Sequence, residues 1–110
     1  MTLASPHPLR PPVLRINHIQ LAVAEYYKIS LKDLLGRRKF IELAKPRQVA
    51  VYLATLHTKK PLSQIAREFG KDHTTIIHAV RRIDELIKQD DELAEDIMFL
   101  TQQLSRRNAA

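Results

Sequence analysis

Residues 65–82 read Ile65-Ala66-Arg67-Glu68-Phe69-Gly70-Lys71-Asp72-His73-Thr74-Thr75-Ile76-Ile77-His78-Ala79-Val80-Arg81-Arg82, and their spacing decides the fold. Leu62, Ile65, Ala66 and Phe69 recur at helical spacing and predict a short helix opened by Pro61. Gly70 stands where a left-handed turn closes that helix, a conformation that glycine alone adopts cheaply. Asp72 is placed to cap a second helix running to about Lys88, with Ile76, Val80, Ile83 and Ile87 stepping along its inward side. His73, Thr74, His78, Arg81 and Arg82 fall largely off that stripe. A glycine corner followed by a helix with small polar groups on its leading turn and cations behind them is how a helix-turn-helix presents a reading surface to DNA.

The flanking sequence extends the same helical pattern in both directions. Asn17 and Gln20 have the spacing of a capping box, Ile16 and Leu21 that of a hydrophobic staple, and Ile16, Ile19, Val23 and Tyr26 or Tyr27 form one stripe. Ser30 is placed to cap a short second helix, with Asp33 three residues on and Gly36 at its end. Arg37, Arg38 and Lys39 are a compact cation cluster just past that glycine. Pro46 suits the first position of a third helix, whose buried side is Val49, Tyr52 or Leu53, and Leu56. A last helix starts at Asp90 or Asp91 with acidic residues at its positive end and a stripe of Leu93, Ile97, Leu100 and Leu104. The fold class is therefore all-α, a five- to six-helix bundle built round a helix-turn-helix. Residues 1–15, with Pro6, Pro8, Pro11 and Pro12, read as a flexible arm, residues 16–105 as the domain and residues 106–110 as a disordered tail.

Composition narrows the function classes. The chain has 110 residues and no cysteine, so neither a disulfide framework nor a thiolate zinc site is expected. No apolar run is long enough for a signal peptide or membrane span, which leads to the expectation of a cytoplasmic protein with no membrane partner. The net charge is +6, unevenly placed. Residues 1–88 hold 16 Lys/Arg against 7 Asp/Glu, while residues 89–110 hold 2 against 5. Cations gathered around the helix-turn-helix are an electrostatic footprint for nucleic acid.

Four blocks in order resemble the C-terminal DNA-binding domain (domain IV) of the bacterial replication initiator DnaA, across roughly residues 16–104. They are Val23-Ala24-Glu25-Tyr26-Tyr27, Asp33-Leu34-Leu35, Pro46-Arg47-Gln48 followed by Val49-Ala50-Val51-Tyr52-Leu53-Ala54, and Asp72-His73-Thr74-Thr75 followed by Ile76-Ile77-His78-Ala79. The resemblance implies a Trp repressor-like fold and sequence-specific binding of double-stranded DNA at DnaA-box-like sites, such as those at a replication origin, with an effect on replication initiation or its regulation. It implies that Asp72, His73, Thr74 and Thr75 meet base edges in the major groove. A carboxylate can accept from cytosine N4, a threonine methyl can pack on the thymine methyl, and a histidine can donate to purine or thymine acceptors. It places Arg37, Arg38 and Lys39 in the adjacent minor groove and Arg47 and Gln48 on phosphate. Ser63, Lys71, Arg81 and Arg82 complete the expected phosphate contacts. Three positions depart from the family pattern. Lys39 stands where an arginine is usual, Phe40-Ile41-Glu42 where Ser and Arg are usual, and the glycine corner is one residue shorter.

Other chemistries find little support. His73 and His78 are five apart rather than four, with no third ligand in reach of the pattern, so no metal is expected. No residue set pairs an activated nucleophile with a base, so no enzyme activity is expected. No Gly-x-x-x-x-Gly-Lys phosphate loop occurs and no cofactor is expected. A full initiator has an ATPase domain, so the chain reads as an excised domain or a free-standing relative, with the proline-rich arm favouring the second. The expected partners are double-stranded DNA and the full-length replication initiator or its regulators, with the protein a monomer. The competing reading is an interaction protein that keeps the fold, binds DNA weakly or not at all, and docks on a replication protein through Phe40 and Ile41 or the acidic last helix.

Overall fold

The structure, a computed structural model, describes residues 14–109, and side chains as far as Arg106. Six helices follow in order: α1 (Ile16–Tyr26), α2 (Leu31–Leu35), α3 (Ile41–His57), α4 (Leu62–Phe69), α5 (His73–Leu86) and α6 (Asp91–Ala109). No strand occurs among the described residues. The all-α class and the helix-turn-helix follow the sequence expectation. The arm as far as residue 13, with Arg10, lies outside the described residues.

The core is one cluster fed by every helix. Ile19 and Val23 from α1, Leu34 from α2, Val49 and Leu53 from α3, Ile65 from α4, Ile76 and Ile83 from α5, and Leu93, Leu100 and Leu104 from α6 are all buried. The longest central helix, α3, carries α5 across it and touches α1, α2, α4 and α6 as well. Burying an aliphatic side chain of this size contributes about 1.5–3 kcal/mol. The predicted stripes of α1, α4 and α6 all contribute to this cluster. In α5 Ala79 joins Ile76 and Ile83 inside, while Val80 and Ile87 are only partly covered.

Several local expectations are corrected. Asn17 does not cap α1; the helix starts at Ile16 with Arg15 extended before it and no side-chain cap. Gln20, the other half of the expected box, is buried instead, and its amide donates to the Glu68 carbonyl at 3.1 Å, tying α1 to the end of α4. Leu21 is exposed, so it staples nothing. A tertiary acceptor thus outcompetes the local cap.

Pro46 does not open α3 either. The helix begins five residues earlier, at Ile41, and Pro46 sits inside it, buried. Its missing N–H leaves the Glu42 carbonyl without an intrahelical donor. The Leu43 amide closes the first turn by donating to the Phe40 carbonyl at 3.0 Å. Leu56 is exposed rather than core. At the chain's end α6 continues to Ala109, so residues 106–109 are helical where a disordered tail is expected, and α5 stops at Leu86 rather than Lys88.

A second connection was not anticipated. Asp96 of α6 is 8 % exposed and accepts from the Tyr26 hydroxyl at 2.5 Å and the Tyr27 hydroxyl at 2.9 Å. The Phe99 ring lies against Tyr26 with centroids 5.3 Å apart. One carboxylate therefore fastens α6 to the C-terminal end of α1.

Candidate nucleic-acid interface

The corner between α4 and α5 has the predicted geometry. Gly70 has φ +64°, in the left-handed region. The Lys71 amide reaches back to the Ala66 carbonyl at 2.9 Å, and the Gly70 amide to Arg67 at 3.1 Å, so the last carbonyls of α4 are satisfied by a six-to-one closure. Asp72 is extended, and its carboxylate accepts from the Thr75 amide at 2.8 Å, which caps α5 as expected. Hydrogen bonding to Thr75, with the fields of His73 and His78, holds that carboxyl below the usual carboxylate range. The cap is made through Oδ1.

Asp72, His73, Thr74 and Thr75 are all exposed. The leading edge of α5 therefore lies open. Farther along, the buried Ile76, Ala79 and Ile83 fix the opposite side. Turning by 100° per residue from that stripe puts Thr74, His78 and Arg81 on the outermost line, with Thr75 and Arg82 on the flank towards α3.

Three shallow hollows connect this edge to the basic loop. Gln48, Thr75, His78, Ala79 and Arg82 line one. Arg47, Gln48, Lys71 and Thr75 share a second, floored by Leu34, Val51 and Phe69. Arg37, Arg38 and Arg47 share the third with Lys32, Asp33 and Gly36. Arg47 is common to the last two, so it stands between the loop and α5. The structure thus brings together Arg37, Arg38, Arg47, Gln48, Lys71, Thr75 and Arg82, while Lys39 lines none of the three hollows. Ser63 is exposed near the start of α4 and Arg81 is exposed on α5, but neither lines these hollows. His78 does line one, and its four-residue offset from Thr74 and Arg82 is the signal for its place beside them.

The cations on this face are not ion-paired among the described residues. Among the described residues the single ion pair is Lys45–Glu92 at 3.8 Å, on exposed side chains elsewhere. None of Arg37, Arg38, Lys39, Lys71, Arg81 and Arg82 has a carboxylate within ion-pair distance there. Arg47 does not pair with Glu42 or Glu68; its guanidinium is turned onto main-chain carbonyls of Asp33, Leu34 and Arg38. Phe40 and Ile41 do not form a loop. Phe40 is the residue before α3, with the Arg38 guanidinium 5.8 Å over its ring, and Ile41 opens the helix.

A family model described as the bacterial DnaA protein helix-turn-helix matches residues 16–83. This chain belongs to that family. It is 46 % identical over 91 residues to the chromosomal replication initiator protein DnaA of Brucella abortus biovar 1 (strain 9-941), covering 82 % of this chain and 18 % of that one. It is 49 % identical over 86 residues to the DnaA of Cereibacter sphaeroides (strain ATCC 17029 / ATH 2.4.9), covering 77 % and 19 %. A crystal structure of a DNA replication initiation factor superposes with a TM-score of 0.75 at 32 % identity, over 84 % of this chain and 29 % of that one. The chain spans about a fifth of the length of these DnaA relatives. The Asp72–Thr75 run and the 37–39 cluster both fall inside the matched DnaA segment. No helix among the described residues is long and apolar enough to cross a membrane.

Proposed function

We propose that this chain binds double-stranded DNA sequence-specifically at DnaA-box-like sites, and through that binding affects chromosomal replication initiation or its regulation. The observation that carries the reading is the open Asp72–Thr75 edge, continuous through Gln48 and Arg47 with the Arg37–Lys39 loop. In this reading α5 enters the major groove with its N-terminal turn, where Asp72, His73, Thr74 and Thr75 meet base edges. The 37–39 loop meets the adjacent minor groove. Gln48, Ser63, Lys71, Arg81 and Arg82 touch phosphates and set the register, while the base contacts set the sequence. The protein acts as a monomer in the cytoplasm and performs no catalysis. Its partners are the duplex and, at shared sites, the full-length initiator or its regulators.

The test is a titration against a duplex carrying a DnaA-box-like site and against a scrambled duplex, each at two salt concentrations. About five neutralised phosphates give a slope of log K against log salt of about −4 to −5. A sequence reader prefers its site by about 10³ or more. Equal, weak binding to both duplexes would favour the second reading, an interaction protein that docks on a replication protein. The exposure of Phe40 (53 %) and Ile41 (85 %) is the observation on its side.

A further inference from the structure

We propose that Arg47 is a positioning residue that holds the 37–39 loop at the angle at which it enters the minor groove, and that this outweighs any phosphate contact it makes. The inference rests on the DNA-binding reading above. It starts from where the guanidinium donates. Nε reaches the Leu34 carbonyl at 3.0 Å, Nη2 the Asp33 carbonyl at 2.7 Å, and Nη1 the Arg38 carbonyl. The first two acceptors lie in the last turn of α2, where the Asp33 carbonyl also accepts from the Gly36 amide at 3.4 Å. The third lies beyond the turn, in the middle of the cation cluster.

One planar group on α3 therefore pins both ends of the turn that leads into the loop. That turn is tight: a Cβ on Gly36 would stand 2.8 Å from the Lys32 carbonyl oxygen. Among the described residues, no backbone–backbone hydrogen bond involves Arg37, Arg38 or Lys39. The bond from Arg47 is thus what fixes the main chain between the Arg37 and Lys39 side chains. Three of the five guanidinium N–H groups face the protein, which leaves one on each Nη for a phosphate. Lysine carries the same charge but converges its three donors on one nitrogen, without the planar fork that here spans carbonyls on two segments.

The experiment compares Arg47→Lys, Arg47→Ala and the loop variant Arg37→Ala/Arg38→Ala/Lys39→Ala on the box-like duplex, with each Arg47 change also made in the loop variant. Positioning predicts that Arg47→Lys, although it removes no charge, loses about as much affinity as Arg47→Ala, about tenfold, and flattens the salt slope by about 2 as the loop cations leave the minor groove. It also predicts lost preference for A·T over G·C in the minor-groove segment, with major-groove preferences kept. In the loop-variant background neither Arg47 change has a further effect. Wild-type affinity in Arg47→Lys, or independent losses that multiply, would assign Arg47 to phosphate and overturn the proposal. Failure of the wild type to prefer the box duplex would strike the DNA-binding reading instead. Limited trypsin cleavage after Arg37, Arg38 and Lys39 in the free protein then decides the positioning role. Faster cleavage in Arg47→Lys at unchanged melting temperature supports it, and an unchanged rate overturns it.

Discussion

Gly70 and Gly36 resist substitution for different reasons. Gly70 has positive φ but nothing within 4 Å of where a Cβ would go, so only backbone strain opposes a side chain there. Gly70→Ala should lower stability by about 1 kcal/mol. Gly36 has ordinary φ, but its Cβ would meet the Lys32 carbonyl, a backbone atom that cannot swing away. Gly36→Ala should therefore cost more than Gly70→Ala, by urea melts on both. The reverse order would mean that the α2 turn relaxes freely. The proposed DNA contacts predict different outcomes by residue. His73→Ala and Thr74→Ala should each cost about 1–3 kcal/mol on the box-like duplex and little on scrambled DNA. Arg81→Ala or Arg82→Ala should weaken both duplexes alike and flatten the salt slope by about 0.9 each. Loss confined to the cognate duplex in the arginine variants would make them base readers.

Among the elements, α4, α5 and α6 were legible in the sequence because each carries a continuous stripe and a start signal, although the ends of α5 and α6 fall elsewhere than expected. Gly70 and Asp72 punctuate the corner, and both behave as local chemistry dictates. The starts of α1 and α3 were not legible. Gln20 has the right spacing for a cap, and only the folded chain places the Glu68 carbonyl within its reach. Pro46 is a good first residue of a helix, and nothing local says that α3 runs on through it from Ile41. The site divides the same way. The exposed α5 edge could be read from its offset to the stripe, but the turn of Arg47 onto the α2 carbonyls depends on how α2 crosses α3. Asp96 was missed because an aspartate in an acidic helix looks solvated. Its hydrogen bond, then burial and its charge, push the Tyr26 hydroxyl up to about 12, and burial and the same carboxylate raise Tyr27 in the same direction. A tyrosine raised in the folded state stabilises the fold below its unfolded pKa of about 10, and that contribution disappears as pH climbs through the folded value. Melting temperatures should therefore fall between pH 10 and 12, and less steeply in Tyr26→Phe, which starts lower at neutral pH. Parallel declines in the two proteins would detach Tyr26 from the α1–α6 connection.

Over the whole molecule, function and fold use opposite charge. The surplus of cations lies in residues 1–88, and the acidic residues 90–96 lead α6, which is fastened to α1 by Asp96. α6 thus closes the core without adding cations to the α5 face, and the open edge, Gln48, Arg47 and the loop form one continuous surface. The central claim is that a duplex seats on this surface and no other. Backbone amide chemical-shift mapping on adding a box-like duplex tests it most directly. The largest shifts should fall at residues 72–75, 37–39 and 47–48, with the exposed side of α6 unmoved. Shifts concentrated on α6 or at Phe40 and Ile41 with the α5 edge silent would contradict the account.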